Sequence, residues 1–521
     1  MLTYIYAISF IVSLSGLIGW FYTQENPKLS RTLSSLFLGG FFTYLFSLAF
    51  ADAAFNQKLW VLCRDLVVLG LTAQFFSFFK TNKTVFFGLL AVLYGFIGVK
   101  YFSVLTHSFD VKPTIEKVEN ITENVISSIG LDNAGELLVE VKDGKQIADL
   151  QSIIKKYNLE YSVAFPQIAN ADKTDLDDYY LINIPTEFEA KREEIEKEFM
   201  DSGLADWVEE NEVLTVEPMR SNPVKINRPN YGVNDPGLDN VWGFEKMEMS
   251  KLYQLIKSKK LKPKKKTLVV ILDTGVDADH EDISGNYKKI RAKYGKDEHG
   301  HGTHCAGIAG AVSNNNKGIA SFAPNNGFYE VSAVQVLSGN GSGTQQGIIK
   351  GIIEAADNGG DILSLSLGGP SSDRKQRAYK KAVDYAREKG CIVVVAAGNS
   401  NMNAKDYAPA NTPGVITVSA IDEALNRAVF SNTVQDVAMG IGAPGVNVYS
   451  SIPNNGYDSW NGTSMATPYV AGLLGLMKSI NPDLTTEEAY KILKETGIDT
   501  GDTDKTGKFI QPFNAVSKVL K

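Results

Sequence analysis

The C-terminal half of this sequence predicts an α/β fold built on a doubly wound, mostly parallel sheet. Apolar runs without alternation, the pattern of strands buried on both faces of a sheet, lie at 268–272, 328–336, 362–367 and 392–396. Stretches with helical spacing lie near 302–312, 344–358, 373–389 and 463–479. An α/β sheet of this kind collects its active residues at the carboxyl ends of the strands.

A smaller α+β domain precedes this half. Residues 136–141 alternate in polarity like a strand, and 146–157 have apolar residues at helical spacing. Two further strands near 161–165 and 179–184, a charged helix over about 187–200 and a last strand over 207–216 complete a β-α-β-β-α-β order, which predicts a small ferredoxin-like sandwich. Residues 106–135 are polar and predict a linker.

Long apolar segments dominate the first 105 residues, and they lie near 3–22, 33–50, 59–79 and 84–105. Each is about as long as a helix that crosses a hydrocarbon core of about 30 Å, so residues 1–105 predict four transmembrane helices. A buried helical core in a soluble domain is the alternative for the whole region. A signal peptide is a second alternative for the first segment.

Basic residues in the connecting loops favour one orientation of these helices. Lys28 and Arg31 occupy the first loop and Lys80 and Lys83 the third, against Lys58 in the second. Cytoplasmic first and third loops satisfy the positive-inside rule. The sequence thus predicts a multi-pass membrane protein, in contact with the lipid bilayer, whose C-terminal domain lies on the extracytoplasmic side.

Charge and cysteine content exclude some classes of function. The net charge of −7 over 521 residues gives no electrostatic basis for binding nucleic acid. The three cysteines, Cys63, Cys305 and Cys391, are too few and odd in number for a disulfide framework, and none has the spacing of a zinc site.

Three distant motifs carry an acid, a base and a nucleophile. They read Val-Val-Ile-Leu-Asp273-Thr-Gly, His301-Gly-Thr-His304-Cys305-Ala-Gly and Gly462-Thr-Ser464-Met-Ala-Thr-Pro. A serine hydroxyl becomes a useful nucleophile when a histidine takes its proton and a carboxylate orients that histidine. The order Asp, His, Ser, each among small residues, predicts such a triad.

These motifs resemble those of the subtilisin-like serine peptidases, and the resemblance runs from about residue 234 to the C-terminus. It implies that Asp273 orients His301, that His301 is the general base and that Ser464 is the nucleophile. The side chain of Asn399, with the backbone N–H of Ser464, is implied to form the oxyanion hole. His304 is expected to support the fold, and His299 lies outside the motif.

The resemblance also implies a substrate-binding edge and pocket wall. The expected residues are Ser366, Leu367, Gly368, Ala396, Ala397 and Gly398. Their small size and lack of charge suggest tolerance of apolar or bulky substrate side chains.

The position of the α+β domain, directly before the peptidase-like half, resembles that of the family's inhibitory propeptide. Residues 136–218 are therefore expected to inhibit the peptidase domain at 234–521, and the linker at 219–233 to hold a processing site. An unrelated small domain is the alternative. Cutting this linker would release the mature domain from its membrane anchor.

A structural calcium ion is a further implication of the resemblance. Asp282 matches a family ligand, and Asn314 and Asn316 lie in a segment that resembles the calcium loop. Oxygen ligands suit this ion, although asparagine-rich loops also occur without metal. No organic cofactor is implied.

Together these features predict a membrane-anchored serine endopeptidase, made as a zymogen, that hydrolyses protein or peptide substrates through an acyl-enzyme. The alternatives are a non-catalytic membrane scaffold or sensor that keeps the fold, and a transporter or channel with an attached protease. A scaffold has no chemical need for Asp273, His301, Asn399 and Ser464 together.

Overall fold

A computed structural model of the chain contains two compact units, residues 1–124 and 125–521. The residues that it describes are 2–23, 26–49, 61, 62, 65, 72, 135–166, 174–226, 230–371 and 377–521. Lys58, Cys63, Lys80 and Lys83 lie outside these ranges, as does the predicted linker up to residue 134.

Two helices, α1 (Leu2–Tyr22) and α2 (Pro27–Ala49), form an antiparallel pair in the first unit. Small residues let their backbones approach. A Cβ at Gly16 would lie 2.5 Å from the amide nitrogen of Phe37, and one at Gly40 would lie 2.9 Å from that of Ser13.

The predicted transmembrane helices and the predicted membrane localisation are wrong for the residues that the structure describes. None of the described helices combines the length and the apolar character needed to cross a bilayer. Lys28 and Arg31 open α2, and serines and glycines interrupt both apolar runs, which pack on each other. The segments near 59–79 and 84–105 lie outside the described residues, apart from residues 61, 62, 65 and 72.

The small domain, residues 137–210, has the β-α-β-β-α-β order. Its antiparallel sheet has the strand order β2-β3-β1-β4, and its apolar core includes Ile153, Ile195 and Phe199. Its elements are β1 (Leu137–Val141), α3 (Gln151–Lys156), β2 (Glu160–Val163), β3 (Tyr179–Asn183), α4 (Arg192–Asp201) and β4 (Ala205–Glu210).

The last predicted strand of the small domain, 207–216, is in fact two strands. β4 ends at Glu210, and β5 (Val213–Thr215) leaves the small sheet to pair with the C-terminal domain. A third strand, β6 (Met219–Ser221), follows and pairs elsewhere on that domain. The alternating apolar residues of this stretch therefore belong to two different sheets. The sequence pattern alone does not show that the stretch contains two strands.

A six-stranded parallel sheet forms the centre of the C-terminal domain, with the order β15-β14-β12-β10-β7-β8. The predicted doubly wound α/β fold is confirmed. All seven residues of β7 are buried, as expected for a strand covered on both faces. Its strands and the short strands around it are β7 (Thr267–Asp273), β8 (Tyr329–Gln335), β9 (Ser342–Thr344), β10 (Ile362–Leu365), β11 (Gly369–Pro370), β12 (Ile392–Ala396), β13 (Tyr407–Ala408), β14 (Val415–Ile421), β15 (Gly440–Pro444), β16 (Val448–Ile452) and β17 (Gly456–Asn461).

Helices cover both faces of this sheet. Two central helices pack on each other and on the sheet, and they begin with His301 and Thr463. The helices of the domain are α5 (Trp242–Lys246), α6 (Met249–Ser258), α7 (His301–Gly310), α8 (Gln345–Asp357), α9 (Arg377–Glu388), α10 (Thr463–Ile480), α11 (Thr486–Thr496), α12 (Thr503–Thr506) and α13 (Pro512–Val519).

Candidate active site

Asp273 is the last residue of β7, and its buried carboxylate binds the imidazole of His301. The Nδ1 atom of His301 lies 2.8 Å and 2.9 Å from the two carboxylate oxygens. This contact requires glycine at position 302, where a Cβ would lie 2.0 Å from the carbonyl oxygen of Gly275. The carboxyl end of a parallel strand thus meets the first residue of α7.

Asp297 shapes the turn that leads into α7, a role that the sequence analysis missed. Its Oδ1 accepts hydrogen bonds from the backbone N–H groups of His299 and Gly300 and from the hydroxyl of Thr274. Its Oδ2 accepts from both the backbone and the hydroxyl of Thr303. An aspartate four residues before a helix-starting histidine is the available signal, since such side chains cap turns and helix ends.

The electrostatic environment of His301 favours its protonated form. Burial alone would lower the pKa of this histidine, but the charge of Asp273 and the hydrogen bond to it outweigh burial and leave the pKa raised. An imidazole held in this way can take a proton and keep the resulting charge stable.

His304 supports the fold, as expected, rather than contacting Asp273. Its ring stacks on that of Trp460 with centroids 4.4 Å apart, and its Nε2 lies 3.2 Å from the carbonyl oxygen of Asp458. Burial lowers the pKa of His304 to about 3, so it is neutral at physiological pH. The ring of Trp460 is also stacked at 6.4 Å from that of His301.

Ser464 is the second residue of α10, and its hydroxyl and carbonyl both contact Ser366, the residue that follows β10. Ser464 Oγ donates to the carbonyl oxygen of Ser366 at 3.0 Å, and Ser366 Oγ donates to the carbonyl oxygen of Ser464 at 2.8 Å. The carbonyl of Ser464 is available because Pro468, four residues later in the helix, has no N–H to offer it.

Asn399 fixes the start of α10 with one end of its amide. Its Oδ1 accepts from the backbone N–H and the hydroxyl of Thr463, both at 2.9 Å. Because a backbone N–H can only donate, this contact identifies the oxygen end of the amide. The NH₂ end makes no hydrogen bond with any residue that the structure describes, and Asn399 is exposed, so this donor is available to a ligand.

One predicted pocket residue, Gly398, contacts the start of α10, where its backbone N–H donates to the hydroxyl of Thr463 at 3.1 Å. Leu367 and Ala397 are buried, and Gly398 has the left-handed φ of 100° that favours glycine. Asn432, which the sequence analysis missed, donates to the carbonyl of Ala397 and accepts from the N–H of Ser400 at 3.1 Å. It holds the turn that carries Asn399.

The predicted calcium loop lies beside two buried carboxylates. Asp282 accepts from the side chain of Asn315 and from the N–H of Ile319, and Asp235 accepts from the N–H groups of Asn314 and Asn315. Asp235 was not predicted. The side chains of Asn314 and Asn316 are exposed, so the structure brings Asn315 rather than these two asparagines to Asp282.

The chemistry of this loop fits a hard cation. Burial raises the pKa of Asp282 to about 8, and the charge of Asp235 adds to this rise. No ion pair within the described part of the chain compensates Asp282, because the nearby Lys317 is paired with Glu281. Two buried carboxylates at one loop are the kind of donor set that Ca²⁺ takes.

The structure brings Asp273 and His301 into direct contact and sets Ser464 and Asn399 at the start of the helix that packs on α7. It does not join His301 to Ser464: among the described residues the hydroxyl of Ser464 donates to Ser366 instead.

Comparison with known proteins identifies the family. A model described as the subtilase family matches residues 264–511. Subtilisin DY of Bacillus licheniformis is 42% identical over 247 residues, which cover 46% of this chain and 86% of the relative. Thermitase of Thermoactinomyces vulgaris is 40% identical over 257 residues, 48% of this chain and 86% of the relative. Subtilisin Savinase of Lederbergia lenta is 39% identical over 253 residues, 48% of this chain and 90% of the relative.

The fold and these relatives define a subtilisin-like serine peptidase. The chain belongs to the subtilase family, and it is a serine endopeptidase. The predicted enzyme class is confirmed, and the alternative of a non-catalytic scaffold is not favoured.

Proposed function

We propose that this endopeptidase cleaves protein and peptide substrates with Ser464 as nucleophile, His301 as general base and Asp273 as the group that orients His301. The observation that carries the proposal is the pair of contacts from His301 Nδ1 to the buried carboxylate of Asp273, at 2.8 and 2.9 Å. A carboxylate on Nδ1 leaves the Nε2 lone pair of the neutral ring as the base.

In the proposed reaction, Ser464 Oγ attacks the substrate carbonyl carbon while His301 takes the hydroxyl proton. The carbonyl oxygen becomes an oxyanion, and the free NH₂ of Asn399 and the N–H of Ser464 at the start of α10 donate to it. His301 then gives its proton to the leaving nitrogen as the C–N bond breaks. Water completes the cycle by hydrolysing the acyl-enzyme.

The small domain acts in this proposal as an inhibitory propeptide, residues 136–218, for the peptidase domain at 234–521. Its last strand and the residues after it supply side chains to the starts of two helices of the peptidase domain. Glu209 accepts from the N–H of Ala378 at 3.1 Å, and Asn211 accepts from the N–H of Gln346 at 2.9 Å. Helix starts carry unpaired N–H groups, so these contacts stabilise the peptidase domain when the small domain is bound.

Charge complementarity supports the same association. Glu140 of β1 is buried and is paired with Arg377 at 3.0 Å and Lys381 at 2.8 Å, both on α9. Tyr179 donates to the same carboxylate at 2.8 Å. Removing both cations would leave the buried carboxylate of Glu140 uncompensated, which typically costs about 3–5 kcal/mol.

Calcium is a structural partner in the proposal. Asp282 and Asp235 would hold the ion at the 312–319 loop, and its charge would compensate the buried carboxylate of Asp282. The ion supplies no step of the reaction.

The substitution Ser464→Ala tests the proposed function. The small domain is removed by limited proteolysis, and hydrolysis of a protein substrate is then measured. We expect the loss of activity, while Ser258→Ala, an exposed serine at the end of α6, keeps it. Undiminished hydrolysis by a homogeneous preparation of Ser464→Ala would overturn the proposal.

A further inference from the structure

A run of lysines forms an exposed ridge from the end of α6 to the start of β7. Residues 257–266, the lysine ridge, contain seven lysines and no acidic residue, whereas the chain as a whole has a net charge of −7. All seven lysines are exposed. They are Lys257, Lys259, Lys260, Lys262, Lys264, Lys265 and Lys266. The ridge is therefore a cationic surface on an acidic protein.

Two of these lysines are paired with acids and five are not. Lys265 lies 2.5 Å from Asp361, and Lys266 lies 2.8 Å from Glu330. None of the five lysines between 257 and 264 has an ion pair with any residue that the structure describes. Like charges this close repel one another, and an anion that binds among them relieves the repulsion.

The backbone under the lysines is fixed at both ends of the ridge. The N–H of Leu261 donates to the carbonyl of Ile256 at 3.0 Å, which closes the last turn of α6. Further along, the N–H of Lys264 donates to the carbonyl of Ser479 at 2.8 Å. A partner that binds the ridge therefore does not have to order its backbone, which lowers the entropic cost of binding.

Lys260 occupies a position at which glycine is the usual residue. Its φ of 48° lies in the left-handed region. Helices that end in this way usually have glycine there, because a side chain is sterically disfavoured in this conformation. Lysine at this position destabilises the fold relative to glycine, so the fold itself does not explain the charge.

The ridge lies at the end of the sheet opposite the active site. It leads into Thr267, the first residue of β7, whereas Asp273 is the last residue of that strand. A strand of seven residues is about 20 Å long. A partner on the ridge therefore leaves the catalytic residues free.

We propose that the lysine ridge binds a soluble, linear polymer of phosphate groups. The lysine ammonium is a compact charge with rotatable donors, which binds phosphate without a fixed geometry. The free cations are spread along the ridge, so a chain of phosphates can contact more of them than a single phosphate ion can. This inference goes beyond the proposed function and does not depend on it.

The composition of the ridge disfavours two other polyanions. The ridge has no aromatic or arginine side chain, the groups that stack on the bases of nucleic acids. Its two apolar residues, Leu261 and Pro263, are half-buried in the protein rather than free to insert into a lipid surface. The lysines alone carry the recognition.

Fluorescence anisotropy of labelled inorganic polyphosphate with the full chain tests the ridge. The affinity should fall about 10²-fold between about 50 and about 200 mM salt, because five phosphate contacts release a comparable number of counterions. A five-lysine variant should lose this binding. It carries glutamine at the unpaired positions Lys257, Lys259, Lys260, Lys262 and Lys264.

The matched control removes the same charge from other parts of the surface. It carries glutamine at five exposed lysines outside the ridge and should bind like the parent. These positions are Lys145, Lys155, Lys197, Lys288 and Lys289. Equal losses of affinity in the two variants, or binding by the parent that does not depend on salt, would overturn the inference.

Lys260→Gly separates binding from folding. It should raise the melting temperature, because glycine suits the left-handed backbone, and weaken polyphosphate binding, because one phosphate contact is lost. A Lys260→Gly chain that is stabilised but binds polyphosphate as tightly as the parent would contradict the inference.

Competition identifies the chemistry of the partner. Polyglutamate, duplex DNA and vesicles of anionic lipid, each at the same concentration of charge, should displace the labelled chain less well than unlabelled polyphosphate does. Better displacement by any of the three would assign the ridge to that partner and refute the proposal of a phosphate polymer.

Peptide hydrolysis tests the placement of the ridge away from the cleft. The nicked enzyme, from which limited proteolysis has removed the small domain, should hydrolyse a peptide equally fast with and without polyphosphate. Inhibition of the parent that is absent in the five-lysine variant would contradict this placement. A nicked enzyme without activity would count against the proposed function alone, because the binding measurements do not depend on activity.

Discussion

Ser366 and Ser464 exchange hydrogen bonds between the end of β10 and the start of α10, each hydroxyl donating to the other residue's carbonyl, at 2.8 and 3.0 Å. The exchange depends on Pro468, which removes the helical hydrogen bond that the carbonyl of Ser464 would otherwise accept. The position of the proposed nucleophile is therefore set by a strand from the middle of the sheet as well as by its own helix.

Substitution of Ser366 by alanine should lower the free energy of unfolding by about 1–3 kcal/mol, because it removes the strongest partner of a buried carbonyl. Chemical denaturation measures the change. Ser364→Ala is the matched control, since the buried hydroxyl of Ser364 has no partner within the described residues, and its loss should be neutral. Equal effects of the two substitutions would contradict this account of the Ser366 contact.

The two ends of the Asn399 amide have separable roles. Asn399→Asp keeps the oxygen that accepts from Thr463 and replaces the free NH₂ by a second oxygen. We expect kcat to fall by about 10²–10³-fold with little change in melting temperature, as is typical for loss of one oxyanion donor. Asn399→Ala should lower both kcat and the melting temperature. A kcat near that of the parent for Asn399→Asp would exclude Asn399 from the oxyanion hole.

The pH dependence of kcat/KM should report the contact between His301 and Asp273. The proposed base works only when neutral, and Asp273 raises the pKa of His301 above its ordinary 6.5 against the effect of burial. Activity should therefore fall as the pH drops through a value above 6.5. Asp273→Asn should move this limb to lower pH, because the charge that raises the pKa of His301 most is lost while burial, which lowers it, remains. It should also reduce kcat by about 10⁴-fold.

His299→Asn is the control for that profile, since His299 is not bonded to Asp273. Its acidic limb should coincide with that of the parent. A parent limb at or below pH 6.5 would show that the carboxylate does not control the base.

Calcium should stabilise the protein through Asp282, by about 2.7 kcal/mol when its concentration is 100 times its Kd. Burial raises the pKa of this carboxyl to about 8, so a proton competes with calcium for it at lower pH. The rise in melting temperature that calcium causes should therefore be larger at pH 9 than at pH 6. Asp282→Asn should abolish the shift. Glu281→Gln, which alters a surface acid paired with Lys317, should leave it intact. A shift that survives Asp282→Asn would rule out this loop.

The sequence predicts the sheet well where the pattern is local, and continuous apolar runs identify β7, β8, β10 and β12. The motif order predicts a triad of Asp273, His301 and Ser464, of which the structure brings Asp273 and His301 into contact. β14 and β15 were missed because threonine and serine interrupt the apolar run of β14 and glycine interrupts that of β15, although all their residues are buried. Burial there follows from the neighbouring strands, which a single-sequence pattern does not contain.

Supporting residues were missed for a similar reason. Asp297, Asn432 and Asp235 act by accepting hydrogen bonds from backbone distant in sequence or turned back on itself, and nothing in their composition sets them apart from turn residues. The first 49 residues illustrate the opposite error. Their apolar runs are as long as membrane helices, yet none of the described helices is both long enough and apolar enough to cross a bilayer.

The central claim is that Ser464 reacts because His301 and Asp273 activate it. The direct measurement is mass spectrometry of the nicked enzyme after reaction with a fluorophosphonate, which forms a covalent bond with an activated serine. The account predicts a single adduct, on Ser464, that is lost in His301→Ala. An adduct on another serine, or one that forms on Ser464 equally fast in His301→Ala, would contradict it.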